Sequence, residues 1–173
     1  DLSFIYVNMV GGQDEVVFDG NSFVIDNRGE LALQLPAFKE LSSLHNSIDY
    51  LPSTLSEEES IYSALVLATR DYIQKNSFGG ALIGLSGGID SALTLAIAAD
   101  AIGSENVHAV MMPYQFTSDM SLEDSELQAR NQGVQFSNID IHSMVDSFNF
   151  SLNDFFENTS PDSTEENIQA RVR

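Results

Sequence analysis

The chain has 173 residues, with 7 Lys+Arg against 26 Asp+Glu, a formal net charge of −19 and 43% hydrophobic residues. That is a globular composition: low complexity and collagen-like repetition are excluded, and no apolar run approaches the roughly 20 residues a membrane span needs. With no cysteine it has no disulfide scaffold, thiolate zinc site or cysteine nucleophile, and so negative a surface repels phosphate backbones, which excludes general nucleic-acid binding.

In chain order, both ends read as cut: the sequence opens on Asp1 and stops at Arg173 inside a helical pattern, so a fragment of a longer protein is expected. Leu2–Val10 is too short and lacks the basic flank of a signal peptide. Residues 4–35 read as β structure. The apolar runs are Phe4-Ile5-Tyr6-Val7, Val16-Val17-Phe18 and Phe23-Val24-Ile25, bounded by the turn formers Gly11-Gly12, Asp19-Gly20-Asn21 and Asn27-Arg28-Gly29. Leu31, Leu33 and Leu35 alternate as in a half-buried strand, and Pro36 stops it. Weak periodicity then marks a connecting segment, and the chain divides into residues 1–40, a linker at 41–55 and a second domain at 56–173.

Ser56-Glu57-Glu58-Glu59 spells a capping box, and Ile61, Ala64, Leu65, Ala68 and Tyr72 continue at helical spacing to about Asn76. From there strand and helix alternate: strand 81–85, helix 90–102 (apolar nearly all round, hence expected buried), strand 107–112, helix 122–132, strand 136–141 and a helix through Met144, Phe148, Leu152 and Phe155. This βαβαβα order predicts an α/β fold, a parallel sheet with helices on both faces.

The sharpest signal is Gly84-Leu85-Ser86-Gly87-Gly88-Ile89-Asp90-Ser91, after a strand and opening a helix. The glycines let the backbone turn and approach an anion, and the unpaired N–H groups and dipole of the following helix favour negative charge. Ser86 and Ser91 add hydroxyls. Asp90 suits a helix cap, a ligand for Mg²⁺ travelling with phosphates, or both. No Lys precedes Ser91, so this is not a Walker A loop. Ser-Gly-Gly-x-Asp-Ser in this context resembles the PP-loop of ATP pyrophosphatases, which split ATP to AMP and pyrophosphate.

Three more segments narrow the resemblance: Val110-Met111-Met112-Pro113-Tyr114, followed by Phe116-Thr117-Ser118 and Ser121-Leu122-Glu123-Asp124; Glu166-Asn167-Ile168-Gln169-Ala170-Arg171-Val172-Arg173; and, in front, Asn8-Met9-Val10-Gly11-Gly12-Gln13-Asp14 with Phe18-Asp19-Gly20-Asn21-Ser22-Phe23. Together they resemble the glutamine-dependent NAD synthetases, in family order and over almost the whole chain. The resemblance implies an adenine nucleotide alpha hydrolase-like, Rossmann-like sheet preceded by a β-rich remnant of a nitrilase-type α/β sandwich. Residues 1–40 then correspond to the end of the glutaminase domain and 56–173 to the first part of the synthetase domain. It implies a carbon–nitrogen ligase that amidates deamido-NAD to NAD through an adenylate, releasing AMP and pyrophosphate, with ammonia taken from glutamine. In those terms Gly84, Leu85, Ser86, Gly87, Gly88, Ile89, Asp90, Ser91 and Met112 hold ATP, Asp90 holds Mg²⁺, and Asn167 and Arg171 contact deamido-NAD. It further implies a cytoplasmic enzyme, at least a dimer, with small-molecule substrates and neither a nucleic-acid nor a membrane partner. The family's glutaminase cysteine has no counterpart here, so no catalytic residue is assigned and the isolated chain is expected to have neither activity.

Plainer readings stand beside these. Met111 and Met112 also suit a core, Arg171 also suits a surface ion pair with Glu166, and His45, His108 and His142 have no ligand-like spacing and read as structural. Another AMP-forming amidotransferase, a tRNA-thiolating enzyme, or a nucleotide-binding module without chemistry shares the loop; the charge weighs against tRNA.

Overall fold

The computed structural model describes residues 2–44, 54–115, 117–156 and 163–173. The chain forms two compact units, the first running to Gly79 and including Asp100–Ile102, the second made of Gly80–Ala99 and Gly103–Arg173.

The first unit starts as β structure. Strands β1 (Phe4–Tyr6), β4 (Phe23–Ile25) and β5 (Leu31–Gln34) form one antiparallel sheet in the order β1-β4-β5. Val24 and Leu33 turn inward from it, only 4% and 7% exposed, and Tyr6 stacks on Phe23 at 5.0 Å. Strands β2 (Val10–Gln13) and β3 (Val16–Asp19) form a separate hairpin in which Gln13 faces Val16, leaving Asp14-Glu15 as the turn. Gly11-Gly12 therefore lies inside a strand and not at a turn. The reason is a close approach: a Cβ on Gly12 would stand 3.1 Å from Ala68 Cα.

Helix α1 (Glu57–Lys75) starts at the expected cap. Ser56 Oγ accepts from Glu59 N–H at 3.1 Å and Glu59 accepts from Ser56 N–H at 2.9 Å. Three glutamates in its first turn and Lys75 in its last match the helix dipole. The helix packs on β2 and β3 and buries Leu67 and Ile73.

The second unit carries the parallel sheet: β6 (Ala81–Leu85), β7 (Val107–Met111) and β8 (Gln135–Asn138), in the order β6-β7-β8. The middle strand is the core, with Val107, Ala109, Val110 and Met111 all buried. Between the strands run α2 (Ile89–Ile102) and α3 (Asp119–Gln132), followed by α4 (His142–Phe156) and α5 (Ser163–Val172). Gly133, in the left-handed region at φ 69°, ends α3, its N–H donating to the Arg130 carbonyl.

Three expectations shift. Helix α2 is not wholly buried: Leu95, Ala98 and Ala101 are inside, but Ile89 and Leu93 are 80% and 49% exposed. Uniformly apolar composition cannot mark which face is covered. Helix α3 begins before residue 122, because Ser118 caps it by accepting from Ser121 N–H at 3.1 Å. Strand β8 ends at Asn138, because Asp140 accepts the His142 N–H at 2.7 Å and bends the chain into α4.

Candidate functional site

The segment 86–88 leaves the carboxyl end of β6 and enters α2, the position at which parallel α/β sheets bind ligands. Four hydrogen bonds shape it. Ser86 N–H donates to Ser91 Oγ at 3.2 Å, Gly88 N–H donates to Ser86 Oγ at 3.2 Å, Ser91 Oγ donates to the Gly88 carbonyl at 2.9 Å, and the two hydroxyls lie 3.1 Å apart. Since the Ser91 proton goes to Gly88, Ser86 is the donor between the hydroxyls. Both serine protons are thus held inside the loop and become available to a ligand only by exchange.

Gly87 has φ 78°, and a Cβ there would fall 2.6 Å from Ser121 Cα. The position demands glycine twice, for conformation and for space. The helix start offers unpaired donors: its N-cap is Gly88, with no side-chain cap bond, and the first main-chain bond into the helix runs from Ala92 N–H to the Gly88 carbonyl at 3.1 Å. The N–H groups of Ile89, Asp90 and Ser91 have no partner among the described residues. Asp90 is exposed in this first turn; its main-chain carbonyl accepts from Thr94 Oγ1 at 2.8 Å.

Beside the loop lies a cleft of about 410 Å³ lined by Gly84, Leu85, Ser86, Met111, Met112, Thr117, Ser118, Ser121, Gln169 and Arg173. Among the described residues, Arg173 is the one cationic member of the lining; its Nε donates to the Met112 carbonyl at 3.1 Å and its Nη2 lies 3.4 Å from Thr117 Oγ1. With the Gln169 amide turned so that its oxygen faces Arg173, that oxygen accepts from Nη1 at 3.1 Å and Nη2 at 2.6 Å. Gln169 is 8% exposed, so this contact fixes where α5 ends.

The structure thus brings Gly84, Leu85, Ser86 and Met112 to one cleft, while Ile89 and Asp90 stand exposed at its loop. Asn167 and Arg171 lie exposed on α5, outside the cleft lining. The residues of that helix run which do line it are Gln169 and Arg173; with Thr117, Ser118 and Ser121 they belong to segments that carry the family resemblance, but the sequence assigned them no site role. Met111 is a core residue, 2% exposed, with Ser125 Oγ 3.7 Å from its sulfur. Two histidines have structural partners: His108 Nε2 sits 2.8 Å from Ser137 Oγ, and His142 Nδ1 sits 2.7 Å from Asp140 Oδ1. The Asp140 carboxyl is held below its ordinary range by the His142 N–H and ring. His45 lies outside the described residues. Among the described residues there is no cluster of three or more metal-ligating side chains.

A strand, a glycine-bent loop bearing two serines and a helix start with free donors over a cleft fit a bound phosphate chain. Residues 61–173 match the NAD synthase family. The chain belongs to that family. Among relatives of this NAD synthase family, the glutamine-dependent NAD(+) synthetase of Acinetobacter baylyi is 51% identical over 100% of the chain and 34% of its own length. That of Rhodobacter capsulatus is 42% identical over 99% of the chain and 33% of its own length. The solved glutamine-dependent NAD+ synthetase of Acinetobacter baumannii, a complex with adenosine diphosphate, superposes with a TM-score of 0.92 at 52% identity, covering 99% of this chain and 34% of that one. The NH3-dependent NAD synthetase of Campylobacter jejuni, a complex with nitrate, gives 0.56 at 25% identity, covering 68% of this chain and 48% of that one. The chain spans about a third of the length of the curated relatives it matches. The family resemblance read from the sequence is borne out, and so is the fold class: a Rossmann-like parallel sheet flanked by helices, after a β-rich part that the glutamine-dependent structure also contains.

Proposed function

We propose that this chain supplies the ATP-binding part of a glutamine-dependent NAD synthetase. The carrying observation is the loop 84–91, which sets serine hydroxyls and three unpaired N–H groups at the end of β6. The ammonia-using chemistry is proposed for 56–173. Residues 1–40 are read as the end of a nitrilase-type glutaminase domain and 41–55 as the link.

In the reaction, a carboxylate oxygen of the nicotinate of deamido-NAD attacks the α-phosphorus of ATP, and pyrophosphate leaves. Ammonia released from glutamine then attacks the acyl carbon, AMP leaves with the P–O oxygen, and the nitrogen gives up a proton. This chain's residues act by holding the triphosphate. The donors of Ile89, Asp90 and Ser91 face charge that grows on the departing pyrophosphate, and the Ser86 and Ser91 hydroxyls exchange their internal bonds for phosphate oxygens. The Met112 main chain flanks the base, and Asn167 with Arg171, four apart on α5, takes deamido-NAD. The donor set fits Mg²⁺: Asp90 presents a single exposed carboxylate at the loop, which suits an ion that takes its other ligands from phosphates and water. When bound, Mg²⁺ neutralises the pyrophosphate charge. The synthetase is proposed to act in the cytoplasm, as at least a dimer.

The test is AMP formation by the full-length protein, which is expected only when deamido-NAD is present. Replacing both Ser86 and Asp90 by alanine is expected to lower it by about a hundredfold or more. AMP formation untouched by the double substitution would refute the reading.

A further inference from the structure

Hairpin β2–β3 lies outside the family-matched residues 61–173, whereas most of α1 lies within them. The two meet at Gly12. Asp71 and Lys75, one turn apart on α1, take both main-chain groups of this residue: Gly12 N–H donates to Asp71 Oδ2 at 2.9 Å, and the Gly12 carbonyl accepts from Lys75 Nζ. Asp71 Oδ2 also pairs with Lys75 Nζ at 3.2 Å, and its other oxygen lies 3.5 Å from Arg70 Nε. An edge strand normally leaves such groups for another strand or for water. Here a helix's ion pair reads them instead. The geometry tolerates no larger residue without a shift, since a Cβ on Gly11 would stand 3.0 Å from Asp71 Oδ2 and one on Gly12 stands 3.1 Å from Ala68 Cα. The Asp71 side chain is 14% exposed and that of Lys75 57%, so the carboxylate is the shielded centre of the joint. From Lys75 the chain needs only residues 76–80 to reach β6, which carries the loop 84–91.

We propose that Asp71, with Lys75, is a positioning pair for glutamine-derived nitrogen: it fixes the hairpin to the first helix of the synthase segment, and turnover with glutamine depends on that joint while turnover with free ammonium does not. This rests on the synthetase reading above. The physical reason is that free ammonium needs only the ATP and deamido-NAD sites, whereas nitrogen released elsewhere in the protein needs its source held in fixed register.

The experiment uses the full-length protein with Asp71→Asn, which keeps the side-chain size. NAD formation is measured with ammonium chloride and with glutamine, and glutamate release is measured in parallel. The expected result is an ammonium-driven rate within about twofold of the unaltered protein, a glutamine-driven rate lowered by about tenfold or more, and more glutamate released per NAD formed. Should that variant fail to fold, Lys75→Gln, at the more exposed member, is expected to show the same split. Equal loss with both nitrogen sources marks a merely structural joint and overturns the inference, as does no loss with either. Absence of NAD from both sources in the unaltered protein refutes the synthetase reading itself.

Discussion

Gly87 sits at φ 78° with Ser121 Cα where a side chain would begin. Alanine there costs about 1–3 kcal/mol of backbone strain, and steric conflict with α3 adds to it. For Gly87→Ala in the full-length protein we expect pyrophosphate release at saturating deamido-NAD to fall by at least about tenfold, a loss that a pyrophosphatase-coupled phosphate assay would register; a rate near that of the unaltered protein would show that the loop re-forms. Asp71 makes a second residue-scale statement. Burial pushes its carboxyl up, but the Gly12 N–H, the Lys75 hydrogen bond and the charges of Lys75 and Arg70 outweigh burial and hold it below the ordinary 3.8. A depressed folded value means the contribution is whole above the ordinary carboxylate range and is lost as pH falls through the folded value. The stability difference between the unaltered chain and Asp71→Asn is therefore expected to be constant above about pH 5 and to shrink below about pH 4 in urea titrations. A difference that grows on acidification would contradict the assignment.

At the scale of elements, what could be read in advance follows locality. The Ser56–Glu59 capping box is a contact between neighbours in sequence, so the start of α1 was legible and Ser56→Ala is expected to cost about 1 kcal/mol in thermal or urea unfolding; an unchanged midpoint would mean that packing on β2 and β3 alone sets this end. The strand–loop–helix at 81–102 was legible for the same reason, since glycines and serines at fixed offsets state the turn chemistry. Contacts between distant segments were not. Gly11-Gly12 has the composition of a turn, and only the approach of Ala68 explains its place in a strand. Locality was not enough at α3, whose cap is also a contact between near neighbours: Ser118 caps it without the acidic partner that announces a capping box. Gln169 and Arg173 reach the cleft because α5 returns to β7 near Met112; helical spacing alone could not separate that face from the one bearing Asn167 and Arg171.

Across the whole molecule the charge of −19 implies self-repulsion that ions relieve. Raising salt from 0.01 M to 0.15 M shortens the screening length from about 30 Å to about 8 Å, so the unfolding temperature is expected to rise over that range in scanning calorimetry; a flat or falling response would mean the acids are already neutralised pairwise. The two units carry different elements, the antiparallel sheet and hairpin in one, the parallel sheet with the glycine-bent loop 86–88 in the other.

Among the described residues β6 has a neighbour on one side only, and Leu82, its second residue, is 71% exposed. The strand that leads into the loop 86–88 is thus tethered by a single ladder, while β7 is clamped from both flanks. Deuterium uptake should register this asymmetry as quicker labelling at 81–85 than at 107–111. A further strand added along that edge would damp the motion of the loop that follows β6.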